Sequence, residues 1–138
     1  MTRQQIDTFL SEVRNAVVAT NRQDGAPQLS TAWYLYDQGM IYVGFEANTA
    51  KHRNIMRDQR VSICVGGVHP DSRTVTIYGA AEFVEKSDPR FKDATTRIDS
   101  RYSSIEEDDS SQRDVVQSNI DRRLIAIKPE RILAWDYN

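Results

Sequence analysis

Lys51, His52, Arg53, Arg57 and Arg60 fall within the ten residues KHRNIMRDQR of a chain whose net charge is −2. On a helix starting near Thr49, Lys51 lies in the first turn, where backbone N–H groups without intrahelical partners already favour an anion. A cation at that end opposes the helix dipole, so the placement costs stability until an anion arrives. A phosphate there would meet backbone donors, the Thr49 hydroxyl and the charges of Lys51 and Arg53 together. Arg57 and Arg60 read more simply as solvated charges paired with acids such as Asp58. For Lys51 and Arg53 the residues alone leave both readings open.

A second set of side chains lies in QLSTAWYLY. On a strand, Gln28, Ser30, Ala32 and Tyr34 share one face, and Leu29, Thr31 and Trp33 share the other. Small hydroxyl groups beside Trp and Tyr suit the polar edge of a planar ring. They equally suit a sheet with one face in the core and the other wet.

Other chemistries have no carrier. There is no GxGxxG after a strand, no Walker loop and no HExxH, and no serine sits in a G-x-S-x-G setting. The two histidines, His52 and His69, lie in different segments without cysteine companions, so no metal site is expected. The single Cys64 sits in the apolar run VSICV, which predicts a buried, inert thiol. With no side-chain nucleophile in view, an enzymatic reading assigns the reaction to a cofactor.

The elements that must position these residues are short. Ile6, Phe9, Leu10 and Val13 recur at helical spacing and predict a helix over 3–14 capped by Thr2. AVVATN, PQLSTAWYLYD and MIYVGFE read as three strands of an antiparallel meander, turned at Asp24-Gly25 and DQGM. The basic helix follows, from Asn48 or Thr49 to about Asp58, with Ile55 and Met56 as its buried side. RVSICVGGV and TVTIYGAAEFVE are further strands, with Gly79 as a bulge or close-approach point. Asp88-Pro89 starts another helix. The polar region beyond it to Asp121 is interrupted by an acidic, serine-rich run at 103–112, read as an exposed loop. RLIAIKPERILAWDY ends the chain as two strands broken at Pro129. Six or seven strands with peripheral helices predict a mainly β, antiparallel barrel or sandwich.

Composition narrows the function class. The chain has 138 residues, 39 % apolar and 28 % charged, which predicts one domain over 1–138. A pI near 5.7 argues against a general nucleic-acid binder and leaves the local basic patch to a small anion. No apolar run of membrane-spanning length and no signal-peptide pattern is present, so a cytoplasmic protein is expected.

Together, VATNRQDGAPQLSTAWYLYDQGMIYVGFEANTAKHRNIMRDQRVSICV resembles the flavin- and deazaflavin-binding split β-barrel proteins. That superfamily includes pyridoxamine 5'-phosphate oxidase and oxidoreductases that use coenzyme F420. The resemblance is tightest from Ala16 to Val65 and continues through YGAAEFVE and IKPERILAWDY. It implies a split β-barrel homodimer with the cofactor at the dimer interface. Lys51 takes the phosphate-binding position, supported by Thr49 and Arg53. Gln28, Ser30, Thr31 and Trp33 border the ring system, and Val43 and Gly44 contribute third-strand backbone. Trp135 lies in a terminal segment that approaches the other subunit's site. The resemblance names no catalytic residue.

One departure is informative. Where pyridoxamine-phosphate oxidases carry an arginine just before the lysine, this chain has Ala50, and it lacks a basic C-terminal substrate clamp. The compact TAKHRN form therefore resembles the deazaflavin branch, whose cofactor bears a phosphodiester and a glutamate tail. His52, Arg53 and Arg57 would serve those charges. The resemblance thus implies an F420-dependent reductase that transfers hydride to a small unsaturated organic substrate. An FMN-dependent oxidoreductase is the first alternative, and a non-catalytic flavin- or haem-binding module the second.

Overall fold

The computed structural model describes residues 1–103 and 121–138. Its elements run α1 (Arg3–Ser11), β1 (Ala16–Asn21), β2 (Pro27–Ala32), β3 (Tyr34–Asp37), β4 (Met40–Glu46) and α2 (Ala50–Arg57). They continue with β5 (Arg60–Gly66), β6 (Thr74–Phe83), α3 (Pro89–Tyr102) and β7 (Arg122–Trp135). The strands form one antiparallel sheet in the order β2-β1-β5-β6-β7-β4-β3. Its two edges, β2 and β3, are neighbours in sequence, joined through Trp33 alone. A chain that steps from one edge to the other in one residue curls its sheet around, so the fold is a split β-barrel.

That step corrects the expected meander. PQLSTAWYLYD is two strands on opposite edges, not one strand inside a three-stranded unit. At the break, the Tyr34 N–H donates to the Tyr102 hydroxyl at 3.3 Å instead of to a sheet carbonyl. Trp33 stacks on the Tyr102 ring with centroids 4.8 Å apart. A tertiary contact with α3 takes the place of the ladder there.

The turns follow local chemistry. Gly25 at φ +106 closes the β1–β2 hairpin, and Gln38 and Gly39, both at positive φ, make the two-residue β3–β4 loop. α1 carries a complete capping box from Thr2 and Gln5 but ends at Ser11, short of the expected residue 14. Its last carbonyls are taken by tertiary donors: Tyr34 donates to Leu10, and Arg101 donates to Ser11 and Glu12. The chain is thereby peeled towards β1, leaving Val13 exposed.

β7 is continuous, where two strands broken at Pro129 were expected. Pro129 lies opposite Gly79 at a register shift, and β4 pairs only with residues up to Ile127. On that open side no partner requires the proline's missing N–H. A Cβ at Gly79 would collide with the Lys128 carbonyl, so glycine permits the close approach.

Inward residues of every strand, including Val18, Val43, Ile63, Ile77 and Ile125, fill the barrel together with Phe9, Leu10 and Tyr34. A second cluster, with Leu35, Tyr42, Ile98, Tyr102 and Leu124, fills the layer beneath α3. The outer face of the sheet is less covered. Register places Thr31, Val17, Cys64, Thr76 and Leu133 in one row across it, and Leu29, Ala19, Ser62 and Tyr78 in the next. Cys64 is therefore exposed, contrary to the buried thiol expected, because its apolar neighbours in sequence alternate inward while it points out. The acidic run at 103–112 lies, beyond Ser103, outside the described residues. No helix among the described residues is long and apolar enough to cross a membrane.

Candidate functional site

Where the curled sheet fails to close, a cleft of about 770 Å³ opens between β2, the end of β4, the start of α2 and α3. Gln28, Ser30, Thr31, Trp33, Gly44, Thr49 and Lys51 line it. The structure does not bring the remaining candidates there. Arg53 lines an adjacent groove, Val43 is fully buried in the barrel, and Trp135 pairs opposite Thr74 on the outer face.

The α2 end of the cleft is built by a strained loop and a cap. Asn48 adopts φ +66, and its N–H donates to His52 Nδ1 at 2.9 Å. Thr49 is the N-cap: its hydroxyl accepts from the His52 N–H at 3.3 Å and donates to the Glu46 carbonyl at 2.9 Å. The His52 ring packs edge-on against Phe45 and Phe83, which holds the first turn of α2 against the barrel.

The buried side of α2 is Lys51, Asn54 and Ile55, with Met56 exposed instead of buried as expected. Lys51 is only 9 % exposed, and no hydrogen bond or salt bridge engages its ammonium among the described residues. The Phe45 ring centroid lies 6.0 Å away. Burial lowers the Lys51 pKa from its ordinary value, since water no longer stabilises the charged form. A buried, unpaired cation opening into a cleft at a helix N-terminus is chemically incomplete without an anion.

The opposite wall carries a second incomplete group. Ser30 Oγ is shielded from solvent and has no hydrogen-bond partner among the described residues. Next to it, Gln28 is fixed by a polar chain from α2: Asn54 Nδ2 donates to Thr20 Oγ1 at 3.1 Å, and Thr20 Oγ1 donates to Gln28 Oε1 at 3.2 Å. The Gln28 Nε2 amide donates to the Leu29 carbonyl at 3.4 Å, and the side chain lines the cleft. A phosphate at Lys51 and a ring with polar edges along β2 match this donor set.

The groove beside the cleft shares Gln28 and Ala50 with it and adds Arg22, Asp24, Arg53, Asn54 and Arg57. Arg22 pairs with Asp24, but among the described residues Arg53 and Arg57 donate only to neutral oxygens, those of Asn48, Asn21 and Asn54. Arg60 instead pairs with Asp58, whose carboxyl is thereby held well below the usual range.

The sequence of the whole chain matches one family along nearly all its length: the model described as pyridoxamine 5'-phosphate oxidase covers residues 2–136. The chain belongs to the pyridoxamine 5'-phosphate oxidase family. Solved structures agree on the fold. A conserved hypothetical protein of Mycobacterium tuberculosis is 28 % identical with a TM-score of 0.80, over 99 % of this chain and 85 % of that one. A structure described as an F420 reductase is 20 % identical with a TM-score of 0.69, over 92 % of this chain and 94 % of that one. A haem storage protein of Vibrio cholerae is also 20 % identical, with a TM-score of 0.74, over 95 % and 92 %. These structures share the curled sheet with this chain.

Several cleft residues were not anticipated from the sequence: Asn15, Phe45, Glu46, Ile98, Asp99 and Arg122. Phe45 and Glu46 lie beside Gly44 and could have been read from strand continuity. Asp99 and Arg122 carry no local signal, because they arrive from α3 and β7 only through the fold.

Proposed function

We propose that this chain is an F420-dependent oxidoreductase that moves hydride between a deazaflavin and a small unsaturated organic substrate. The observation that carries the reading is Lys51, buried at the N-terminal turn of α2 and without a counter-charge among the described residues. Its ammonium and the first N–H groups of α2 would hold the cofactor phosphate, on a turn that the Thr49 hydroxyl fixes through Glu46 and His52. Gln28, Ser30 and Thr31 would meet the polar ring edge, with Gly44 leaving room on the β4 side. When bound, the deazaflavin supplies a two-electron hydride donor. The protein's part is to fix orientation and exclude water around the reacting face.

The neighbouring groove favours F420 over FMN. FMN ends at its phosphate, whereas Arg53 and Arg57 suit a cofactor whose chain continues with further carboxylates. A haem reading has less support, because no histidine lines the cleft among the described residues. The exposed Val17, Leu29, Cys64 and Tyr78 on the outer face support a homodimer that shares the cofactor site, with Trp135 on the same face. We place the protein in the cytoplasm, as one domain over 1–138.

Titration of the purified protein with F420 and, separately, with FMN tests the reading by fluorescence. Saturable F420 binding with weaker FMN binding is expected, followed by turnover of an enone or quinone acceptor. Tight FMN binding without an F420 response would reverse the cofactor assignment. Binding of either without turnover of any acceptor would indicate a binding module. Sedimentation of the cofactor-saturated protein at micromolar concentration should give a dimer.

A further inference from the structure

One side-chain pair that lines the cleft has no role in the cofactor assignment above. Asp99 on α3 and Arg122 at the start of β7 both line the cleft. Arg122 Nη1 donates to Asp99 Oδ2 at 2.9 Å, the one hydrogen bond of its guanidinium among the described residues. Asp99 Oδ1 is shielded from solvent and has no hydrogen-bond partner among the described residues. A guanidinium and a carboxylate that serve only to staple two elements tend to meet two-on-two. This pair meets one-on-one and leaves the Nε–Nη2 edge of Arg122 and one oxygen of Asp99 uncommitted.

Gly44 makes that arrangement fit. A Cβ at residue 44 would lie 3.3 Å from both Nε and Nη2 of Arg122, tight enough to displace the guanidinium. The side chains of the pair are 28 % and 32 % exposed, and reading a ligand with Asp99 requires its carboxyl to rotate so that an oxygen turns towards the cleft.

The adjoining wall is flat and apolar. Trp33 lies parallel to Tyr102, at an interplanar angle of 1°, and Ile98 sits beside Asp99. Tyr102 is itself held, since its hydroxyl donates to the Arg14 carbonyl at 2.6 Å and accepts from the Tyr34 N–H. The indole plane is therefore fixed by the core and not by the ligand.

We propose that Asp99 and Arg122 are specificity-determining residues that read a carbonyl oxygen and an adjacent N–H on a flat ring substrate, as in a lactam or imide. Arg122 donates to the carbonyl oxygen, Asp99 accepts the N–H, and Trp33 covers the ring. A phosphorylated substrate is disfavoured here because it would set a dianion against the Asp99 carboxylate. The inference rests on the oxidoreductase reading only in calling this ligand the substrate.

The test uses the full chain saturated with whichever cofactor it binds, and three calorimetric probes: 2-quinolone, coumarin and phenyl phosphate. 2-Quinolone carries the carbonyl and the N–H, whereas coumarin has a ring oxygen in place of the N–H. The wild type should bind 2-quinolone about tenfold more tightly than coumarin, and phenyl phosphate least. In Asp99→Asn, Arg122 retains the amide oxygen and the amide N–H groups face the cleft, so a donor replaces the acceptor. The preference should then invert towards coumarin, while cofactor affinity and melting temperature stay level. Arg122→Lys, which removes the fork and keeps the charge, should weaken both ring probes severalfold.

An unchanged quinolone-to-coumarin ratio in Asp99→Asn would overturn the proposal, as would phenyl phosphate binding best. A drop in cofactor affinity as large as the probe effect would also overturn it, by assigning the pair to the cofactor. If the chain binds neither F420 nor FMN, the oxidoreductase reading fails. The inversion, measured on the cofactor-free chain, still decides whether the pair reads this chemistry.

Discussion

Lys51 and Arg57 stand on the same eight-residue helix with the same formal charge, and the fold treats them oppositely. Arg57 is exposed, and its guanidinium reaches the Asn21 carbonyl and the Asn54 side chain. Lys51 is buried between that helix and the barrel and is paired with nothing described. A solvated cation costs little wherever it sits, so Arg57 carries little information. A desolvated one raises the free energy of the empty protein until a ligand compensates it. On the proposed reading, burial more than charge is what marks Lys51 as the binding residue in this basic run.

The sharpest way to break that contrast is Lys51→Met. Loss of one charge-assisted hydrogen bond, at roughly 1.5–3 kcal/mol, should weaken cofactor binding by about 10- to 150-fold. The empty protein should become more stable by about 1 kcal/mol or more, because a buried charge is replaced by a thioether chain of similar length. Cofactor titration and urea unfolding read the two effects. A Lys51→Met protein that binds as tightly as the wild type would remove the phosphate assignment.

pH separates the same two residues. Burial sets the folded pKa of Lys51 below its ordinary 10.5. Between those two values the unfolded chain binds more protons than the folded one, so stability rises with pH across that window. The urea midpoint of the cofactor-free wild type, referenced to Lys51→Met, should therefore climb as the pH approaches 10.5. Saturating anionic cofactor should flatten the slope by favouring the charged lysine. Arg57→Ala should leave the slope as it is.

Ser30→Ala asks whether the orphaned hydroxyl works with Lys51. Removing a buried hydroxyl that has no partner should leave the empty protein as stable or slightly more so. Cofactor affinity should fall about fivefold, a loss of ~1 kcal/mol for one hydrogen bond. A stability loss with unchanged affinity would mark Ser30 as a structural residue.

The smallest effects belong to the exposed side of the helix. Arg53→Ala and Arg57→Ala should each reduce F420 affinity about two- to threefold, within the ~0.2–1 kcal/mol range of exposed pairs. Both effects should disappear at high salt, and FMN binding should not change. Equal losses from Arg57→Ala and Lys51→Met would mean that the patch acts diffusely and that burial is not what matters.

Much of the local framework was legible in the sequence. Thr2 announced the start of α1, Asn48 or Thr49 the cap of α2, Asp88 the cap of α3, and Asp24-Gly25 the first hairpin; Thr49 and not Asn48 is the α2 cap. VSICV and TVTIYG read as strands from their β-branched residues. These signals rest on contacts within four residues, so the sequence determined them by itself. The same spacing information also grouped Gln28 and Ser30 on one strand face, and β2 carries them on the inner one.

Tertiary structure decided the rest. Whether QLSTAWYLY ran on or broke depended on Tyr102, 68 residues further along, taking the Tyr34 N–H. Whether Cys64 faced in or out depended on which side of the sheet was filled by α1 and the barrel core. The cleft exists because β2 and β3 are the two free edges of one curled sheet. Asp99 and Arg122 reach it only after α3 and β7 have packed. No local pattern encodes such an encounter, since its energy comes from residues brought together by closure of the barrel and not by their spacing along the chain.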